Sequence, residues 1–459
     1  MHDDPQAEVA RLTALASDLA DRALARGADV AEVKARSGSE LSVKVRLGEP
    51  ELVEEAGHRG VGMRVFKDGR VALIATSDLT LRGLDRFVDD ALELVELAER
   101  DPFAGPADPS LLARGPLPEL ELYDPACGTV DAARALELAK RAEAAARSAD
   151  PRITNSDGAT FARTAGAFAM VLSGGFAGGY AGSYASLSVT PVANDDGEKK
   201  RRGSYWSAKR HLAELLSPEE VGAEAARRTL RKLGARKVPT CEVPVVFDPD
   251  AARSLVGLLG GCVMGGSIWR KSSYLCGREG SLVASPLVTL VDDPLLPRGP
   301  GSRPFDGEGL ASRRNVVVQE GKLERYLCDS YSARKLERAS TASASRGGNG
   351  GVGASTSNLV LSPSSTPAAD IVRSTKRGLY VTEMMGFGFN AVTGDFSRGA
   401  AGYWIEDGEL AFPVSEITIS LNLDELWKRV DAVGDDLDLR SAVASPTIRV
   451  ASMTVAGGA

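Results

Sequence analysis

The first half of the chain alternates between helical and strand-like hydrophobic patterns. Apolar residues three or four positions apart predict four helices, over residues 6–26, 79–99, 130–149 and 217–233. Alternating apolar and polar residues predict strands between residues 30 and 74 and again between 153 and 206.

Turn and cap residues support this pattern at several places. Lys67-Asp68-Gly69 is typical of a tight hairpin turn, and residues 155–158 (NSDG) indicate another turn. Residues 217–220 (SPEE) place a serine cap, a proline and two acids at the start of a helix. Ser77 or Asp78 is expected to cap the helix over 79–99.

The pattern changes near residues 234–239, where we predict a domain boundary. A short apolar strand over 243–247 precedes a helix over about 251–260, capped by Asp248 or Asp250. The rest of the chain is mostly strand-like, apart from a short helix predicted over 423–433. Residues 339–367 are rich in Ser, Gly, Thr and Ala, which fits either a linker or a functional, mobile loop.

We therefore predict an α+β protein of two domains. Residues 1–235 form an N-terminal α/β domain with a mixed sheet flanked by helices. Residues 236–459 form a β-rich, barrel-like domain with few helices.

Composition argues against several classes of protein. The net charge of −7 gives no support for direct nucleic-acid binding, and KKRR at 199–202 follows acids and fits a hairpin tip. The uncharged stretches 164–194 and 255–269 are too glycine-rich or too short to span a membrane. The acidic start, MHDDP, is no signal peptide, and five cysteines without C-x-x-C spacing fit reduced thiols in the cytoplasm.

The histidines restrict the possible chemistry most. All three, His2, His58 and His211, precede the predicted boundary, and no H-E-x-x-H or H-E-x-x-x-H motif occurs. We therefore assign no catalytic residue and no metal ligand. A serine nucleophile lacks a G-x-S-x-G elbow, and a dyad of Lys271 with Ser272 remains an open, less favoured alternative.

Glycine-rich stretches with basic residues are the best candidates for a substrate groove, because glycine lets a backbone approach a ligand closely. The alternative is tight turns with internal ion pairs. The candidate groove residues are Trp269, Arg270, Lys271, Ser272, Thr382, Glu383, Asp395, Ser397 and Arg398.

Several stretches, in order, resemble the TldD/PmbA family, and specifically its TldE (PmbA) branch. The resemblance covers nearly all of residues 240–458. The matching stretches are GGSIWRKS (265–272), SYSARK (330–335), VTEMMG (381–386), TGDFSRGAAG (393–402), PVSEITI (413–419), WKRVDAVGDD (427–436) and MTVAG (453–457).

The resemblance implies where a zinc site would lie. In the TldD branch, H-E-x-x-x-H occupies the helix after the first strand of the C-terminal domain, and a cysteine near the C-terminus also binds the metal. Here that window is LLGGCVM (258–264), and the cysteine position falls at or near Ser445. Every metal position of the TldD branch is thus replaced.

The resemblance also implies an activity and partners. It suggests a cytoplasmic heterodimer that encloses a chamber, in which a TldD-like subunit supplies zinc and cleaves unfolded peptides. This chain would bind no cofactor and would shape the chamber, either with that partner or as a homodimer. A stand-alone peptide- or protein-binding modulator, related to DNA gyrase by a family label, is the alternative.

Overall fold

The computed structural model describes residues 4–458. The prediction about a signal peptide depends partly on residues 1–3, which lie outside the described residues, as does His2. Within residues 4–458, no helix has both the length and the apolar character that crossing a bilayer requires.

Residues 5–230 form five helices and seven strands. They are α1 (Pro5–Ala25), β1 (Val30–Arg46), β2 (Glu49–Lys67), β3 (Arg70–Thr76), α2 (Leu81–Leu97), α3 (Pro125–Thr129), α4 (Ala132–Ser148), β4 (Ile153–Leu172), β5 (Phe176–Asn194), β6 (Lys200–Arg202), β7 (Tyr205–Lys209) and α5 (Pro218–Leu230).

Residues 241–456 form mostly short elements. They are β8 (Cys241–Phe247), α6 (Pro249–Cys262), α7 (Gly265–Trp269), β9 (Leu290–Asp292), β10 (Asn315–Gln319), β11 (Lys322–Leu323), α8 (Ser330–Lys335), β12 (Ala344–Arg346), β13 (Val352–Ala354), β14 (Leu359–Leu361), α9 (Ala368–Arg373), β15 (Arg377–Met385), β16 (Asp395–Glu406), β17 (Glu409–Asn422), α10 (Leu423–Lys428), β18 (Val430–Val433), β19 (Val443–Ala444) and β20 (Ile448–Ala456).

The first seven strands form one sheet in the order β3-β2-β1-β4-β5-β6, with β7 also paired to β5. Every pairing in it is antiparallel, so the prediction of a mixed sheet is wrong in this detail. The reason is connectivity: hairpins join β1 to β2, β2 to β3 and β4 to β5, and hairpins can only produce antiparallel neighbours.

One face of this sheet is covered by two pairs of helices, placed side by side. Val33 and Val43 of β1 lie on that face, ten residues apart, because every second residue of a strand shares a face. Val33 packs with α1 and α2, whereas Val43 packs with α4. The opposite face is more polar, and one end of it meets the C-terminal half of the chain.

The C-terminal half contains a closed five-stranded barrel, which confirms the barrel-like fold predicted for it. Its order is β17-β16-β15-β8-β20, and pairing of β17 with β20 closes it. Its interior is filled by fully buried side chains such as Phe247, Val381 and Ile419. The α+β class is confirmed, whereas a division of the chain at residues 235/236 stays a prediction.

Two local predictions are confirmed in detail. Asp68 and Gly69 both have positive φ angles, 50° and 72°, in the turn between β2 and β3. Ser217 forms a capping box with Glu220 at the start of α5.

Three other local predictions are wrong. Residues 155–158 form an irregularity inside β4, not a turn, because β4 continues its pairing with β5 on both sides. Thr80, not Ser77 or Asp78, caps α2 by accepting a hydrogen bond from the Gly83 amide. The helix predicted over 423–433 ends at Lys428, because β-branched Val430 begins a strand against β20.

The Ser/Gly-rich segment is neither a linker nor an open loop. It forms β12, β13 and β14, and its tip lies against β2 of the N-terminal sheet. A Cβ atom on Gly62 would lie only 2.4 Å from the Gly348 carbonyl oxygen. The glycines therefore let two backbones approach closely and join the two halves of the molecule.

Candidate functional site

Helix α6 is the element in which the resemblance places the zinc histidines. Asp248 caps it by accepting a hydrogen bond of 2.8 Å from the Ala251 amide. Leu255 and Leu259 are buried in the barrel domain, whereas Gly257 and Gly261, one turn apart, are exposed. A Cβ atom on either glycine would meet no atom within 4 Å outside the helix's own backbone, so the outer face of α6 exposes backbone at these two positions.

The other donors near α6 do not make a zinc site. Burial raises the pKa of the Cys262 and Cys328 thiols to about 11, which disfavours the thiolate that zinc requires. Ser445, at or near which the resemblance places the metal cysteine, donates its hydroxyl to the Pro446 carbonyl at 2.9 Å. Within residues 4–458, no three His, Cys, Asp or Glu side chains are grouped so that they could hold a metal. The residues present therefore do not fit catalytic zinc.

All five cysteines, which lie within the described residues, are free thiols, as predicted. They are Cys127, Cys241, Cys262, Cys276 and Cys328.

Trp269 and Arg270 lie at the end of α7, in a cluster of aromatic and cationic side chains. The Trp269 ring is 6.0 Å from that of Tyr331, edge to face, and the Arg270 guanidinium lies 4.9 Å above Trp269. Lys335 lies 3.9 Å from the ring of Phe103, in the segment between α2 and α3. This cluster has an exposed guanidinium above an aromatic surface, an arrangement suited to contact with a peptide.

The geometry does not favour the dyad of Lys271 with Ser272. The Ser272 hydroxyl donates to the Ser267 carbonyl at 3.1 Å, so its proton points away from a base. Lys271 is exposed and has a left-handed φ of 56° in the turn that follows α7. Ser272 therefore stabilises the turn after α7 and is not positioned as a nucleophile.

Asp395 and Ser397 line a broad, open groove of about 680 Å³ at the end of the barrel. Phe387 forms one side of it and is almost fully exposed. Hydrogen bonds from Thr393 and Asn422 lower the pKa of Asp395, which keeps it ionised.

Arg398, next on the same strand, is half-buried beside Phe396, with 5.7 Å between guanidinium and ring. The Tyr274 amide donates to the Ala391 carbonyl at 2.8 Å. This bond connects the loop after α7 to the loop between β15 and β16. The candidates at 269–272 are therefore neighbours of those at 395–398.

Thr382 and Glu383 lie elsewhere, in a cleft between β15 and the N-terminal half. Two adjoining cavities of about 280 and 180 Å³ share these residues, Lys232 and Tyr403. Lys232 forms an ion pair with Glu383 and donates to the Arg202 carbonyl at 2.7 Å. The nine candidates therefore do not all line one groove. Glu383 forms an ion pair between the two halves, which agrees with the alternative interpretation of internal ion pairs.

Three family models match the chain in order. They describe PmbA/TldA metallopeptidase domain 1 (residues 31–95), central domain (125–233) and C-terminal domain (240–457). The chain belongs to the PmbA/TldD family.

Relatives of the family match over nearly the whole chain. Metalloprotease PmbA of Escherichia coli O157:H7 is 38% identical over 94% of this chain and 92% of its own length. A Metalloprotease PmbA homolog of Haemophilus influenzae is 36% identical over 98% and 96%. A crystal structure from Bacteroides thetaiotaomicron, of a protein proposed to modulate DNA gyrase, has a TM-score of 0.90 at 28% identity and covers 97% and 98%.

This member of the PmbA/TldD family also has a buried charge network that the sequence analysis missed. Glu32 accepts hydrogen bonds from Arg64 at 2.7 Å and from Arg346 at 2.5 Å. Glu308 lies 3.7 Å from Arg64 and accepts from the Ser330 amide, and burial raises its pKa to about 7. The one sequence signal was the charged alternation of residues 32, 34 and 36 on one face of β1.

Proposed function

We propose that this chain is the non-metal-binding, TldE-type (PmbA-type) subunit of a TldD–TldE zinc peptidase. The observation that carries the proposal is the outer face of α6, where Gly257, Leu258 and Gly261 offer no metal donor. A catalytic zinc normally needs three protein ligands, so the metal has to come from a TldD-like partner. The name Metalloprotease PmbA, given to a relative of 38% identity, supports a peptidase context.

In such a complex the chain contributes surface, not hydrolysis. A peptide bound in an extended conformation presents its backbone groups along its length and its side chains alternately on two sides. The bare backbone of α6, the Trp269–Arg270 pair and the exposed Phe387 suit contact with such a chain. We expect the complex in the cytoplasm, where the five free thiols would stay reduced.

A second candidate function is a stand-alone binding protein, active as a homodimer without catalysis. The structural relative proposed to modulate DNA gyrase favours it. The net charge of −7 argues that such a protein would bind another protein or a peptide, not DNA itself.

The test is to purify the chain alone, a TldD-like subunit alone, and the two together, and to measure bound zinc and cleavage of an unfolded peptide. We expect no cleavage by this chain alone and chelator-sensitive cleavage by the pair. Robust chelator-sensitive cleavage by the isolated chain would refute the proposal. A homodimer that binds peptide but never associates with a TldD-like subunit would favour the second function.

A variant of the exposed cluster tests the contribution of this chain's surface within the pair. Arg270→Gln removes the cation above Trp269 and should raise the KM of the pair for peptide with little change in kcat. Arg86→Gln, an exposed arginine on α2, is the matched control. An equal effect of both variants would show that Arg270 has no specific role.

A further inference from the structure

A cavity of about 120 Å³ lies between the more polar face of the N-terminal sheet and the C-terminal half of the chain. Strands β1, β4 and β5 form its floor, and residues 303–307 and 345–346 form its other walls. We call it the Arg303 pocket. It is separate from α6 and from all nine groove candidates.

Two cations in the Arg303 pocket have unused hydrogen-bond donors. The Nε and Nη2 atoms of Arg303 are buried, and neither has a hydrogen-bond partner among the described residues. Lys34 donates to the Arg346 carbonyl at 2.9 Å and lies 4.8 Å from the ring of Phe168. Since an ammonium group has three N–H donors, the bond to the carbonyl uses only one of them.

Two buried acids, Asp292 and Asp306, lie close enough to Arg303 to interact with its charge, but neither accepts a hydrogen bond from its Nε or Nη2 atom. Asp306 is the one acid among its lining residues, and its carboxylate accepts three backbone N–H bonds, from residues 308, 310 and 344. Arg346, a third cation, is already paired with Glu32. Burial, with Arg346 and Arg36 nearby, lowers the pKa of Lys34 to about 8.

The remaining wall is aromatic. Phe168, Tyr180 and Phe305 meet edge to face, with 4.5 Å between the first two rings and 5.6 Å between the last two. Met170 lies beside them. Cations on one side and apolar rings on the other fit a ligand that has an anionic group next to a small hydrocarbon group.

We propose that the Arg303 pocket binds the C-terminal carboxylate of a peptide, with the last side chain against the aromatic wall. The proposal rests on the peptide-handling function proposed above and names the part of the peptide that this chain recognises. The volume of about 120 Å³ suits a carboxylate with a small apolar side chain. Ser345 is exposed at the rim, so the rest of the peptide can leave there.

A carboxylate fits better than a phosphate. A phosphate is hydrated on all sides and gains nothing from the rings of Phe168 and Phe305, whereas a terminal residue uses both walls. The planar guanidinium of Arg303 can present two parallel N–H groups to the two oxygens of a carboxylate.

The experiment compares two probes on the full-length chain by isothermal titration calorimetry: acetyl-Gly-Gly-Val as free acid and as C-terminal amide. We expect the acid to bind at least about tenfold more tightly than the amide, because only the acid has the charge that Arg303 and Lys34 require. Arg303→Gln and, separately, Lys34→Met should each weaken the acid about tenfold or more and leave the amide unchanged. Arg86→Gln should change neither probe.

Two measurements exclude a merely structural role. Circular dichroism should show that Arg303→Gln keeps the fold of the parent chain, and the acid should raise the melting temperature only in the parent chain. Equal binding of acid and amide, or inorganic phosphate binding as tightly as the acid, would overturn the proposal. If the isolated chain hydrolyses peptide, the proposed function fails while this preference for the acid can still hold.

Discussion

Helix α6 and the Arg303 pocket lie in different parts of the molecule and offer a ligand opposite chemistry. The outer face of α6 offers no side chain that could bind a metal at Gly257 and Gly261. The pocket has unused hydrogen-bond donors on Arg303 and Lys34. Under the function proposed above, α6 would take no part in hydrolysis, and the Arg303 pocket would hold the end of a peptide.

The largest expected effect tests the charge network beside the pocket. Arg346→Met removes one partner of the buried pair with Glu32 and should lower the free energy of unfolding by about 3–5 kcal/mol, because it leaves a buried carboxylate less compensated. Urea unfolding followed by circular dichroism measures the change.

A double variant provides the control. Glu32→Gln combined with Arg346→Met removes both charges and should be more stable than Arg346→Met alone. A loss below about 1 kcal/mol for the single variant, the value of an exposed ion pair, would mean that the network does not hold the two halves together.

The next effect concerns the cap of α6 and depends on pH. Burial raises the pKa of Asp248 to about 7, above its value in the unfolded chain. The folded state therefore binds a proton that the unfolded state has lost, so stability falls as pH rises from about 4 to 7.

Asp248→Asn keeps a good capping residue and removes this titration. It should raise the free energy of unfolding at pH 8, relative to pH 5, by roughly 2 kcal/mol compared with the parent chain. Glu308, with a pKa of about 7, remains, so some pH dependence persists. Parallel pH profiles for the two proteins would contradict the prediction.

The smallest effect concerns the bare face of α6. Gly257→Ala should stabilise the protein by about 0.5–1 kcal/mol, because the new methyl group meets no atom and the unfolded chain loses freedom. Gly260→Ala is the matched control: its Cβ would lie 2.6 Å from Leu359, so it should not stabilise. Stabilisation by both alanines would show that the two faces of α6 do not differ.

Local chemistry explains which parts of the fold were predictable. The turn at Asp68-Gly69 and the Ser217 cap could be predicted because the residues that form each of them lie within four positions of one another. The continuity of β1 could not be predicted from the sequence, since the polar residues 37–40 interrupt its apolar pattern while the neighbouring strands still pair with them. The antiparallel order of the sheet depends on tertiary pairing, which periodicity does not contain.

The candidate site was less predictable than the fold. The absence of histidines after residue 211 could be read directly, whereas the partners of charged residues could not. Glu32 and Arg346 are 314 positions apart in the sequence. Glu383, chosen as a groove residue, pairs with Lys232, 151 positions before it. Long-range pairing of this kind becomes visible only once the two halves are assembled.

Zinc binding by the isolated chain tests the central claim most directly. Equilibrium dialysis against zinc, followed by elemental analysis, should find no tightly held ion in the parent chain. The variant Gly257→His with Gly261→His places two imidazoles one turn apart on α6 and should gain zinc-dependent stability, which proves that the assay detects a site there. One tightly held zinc per parent chain, with peptide cleavage that a chelator abolishes, would contradict the account.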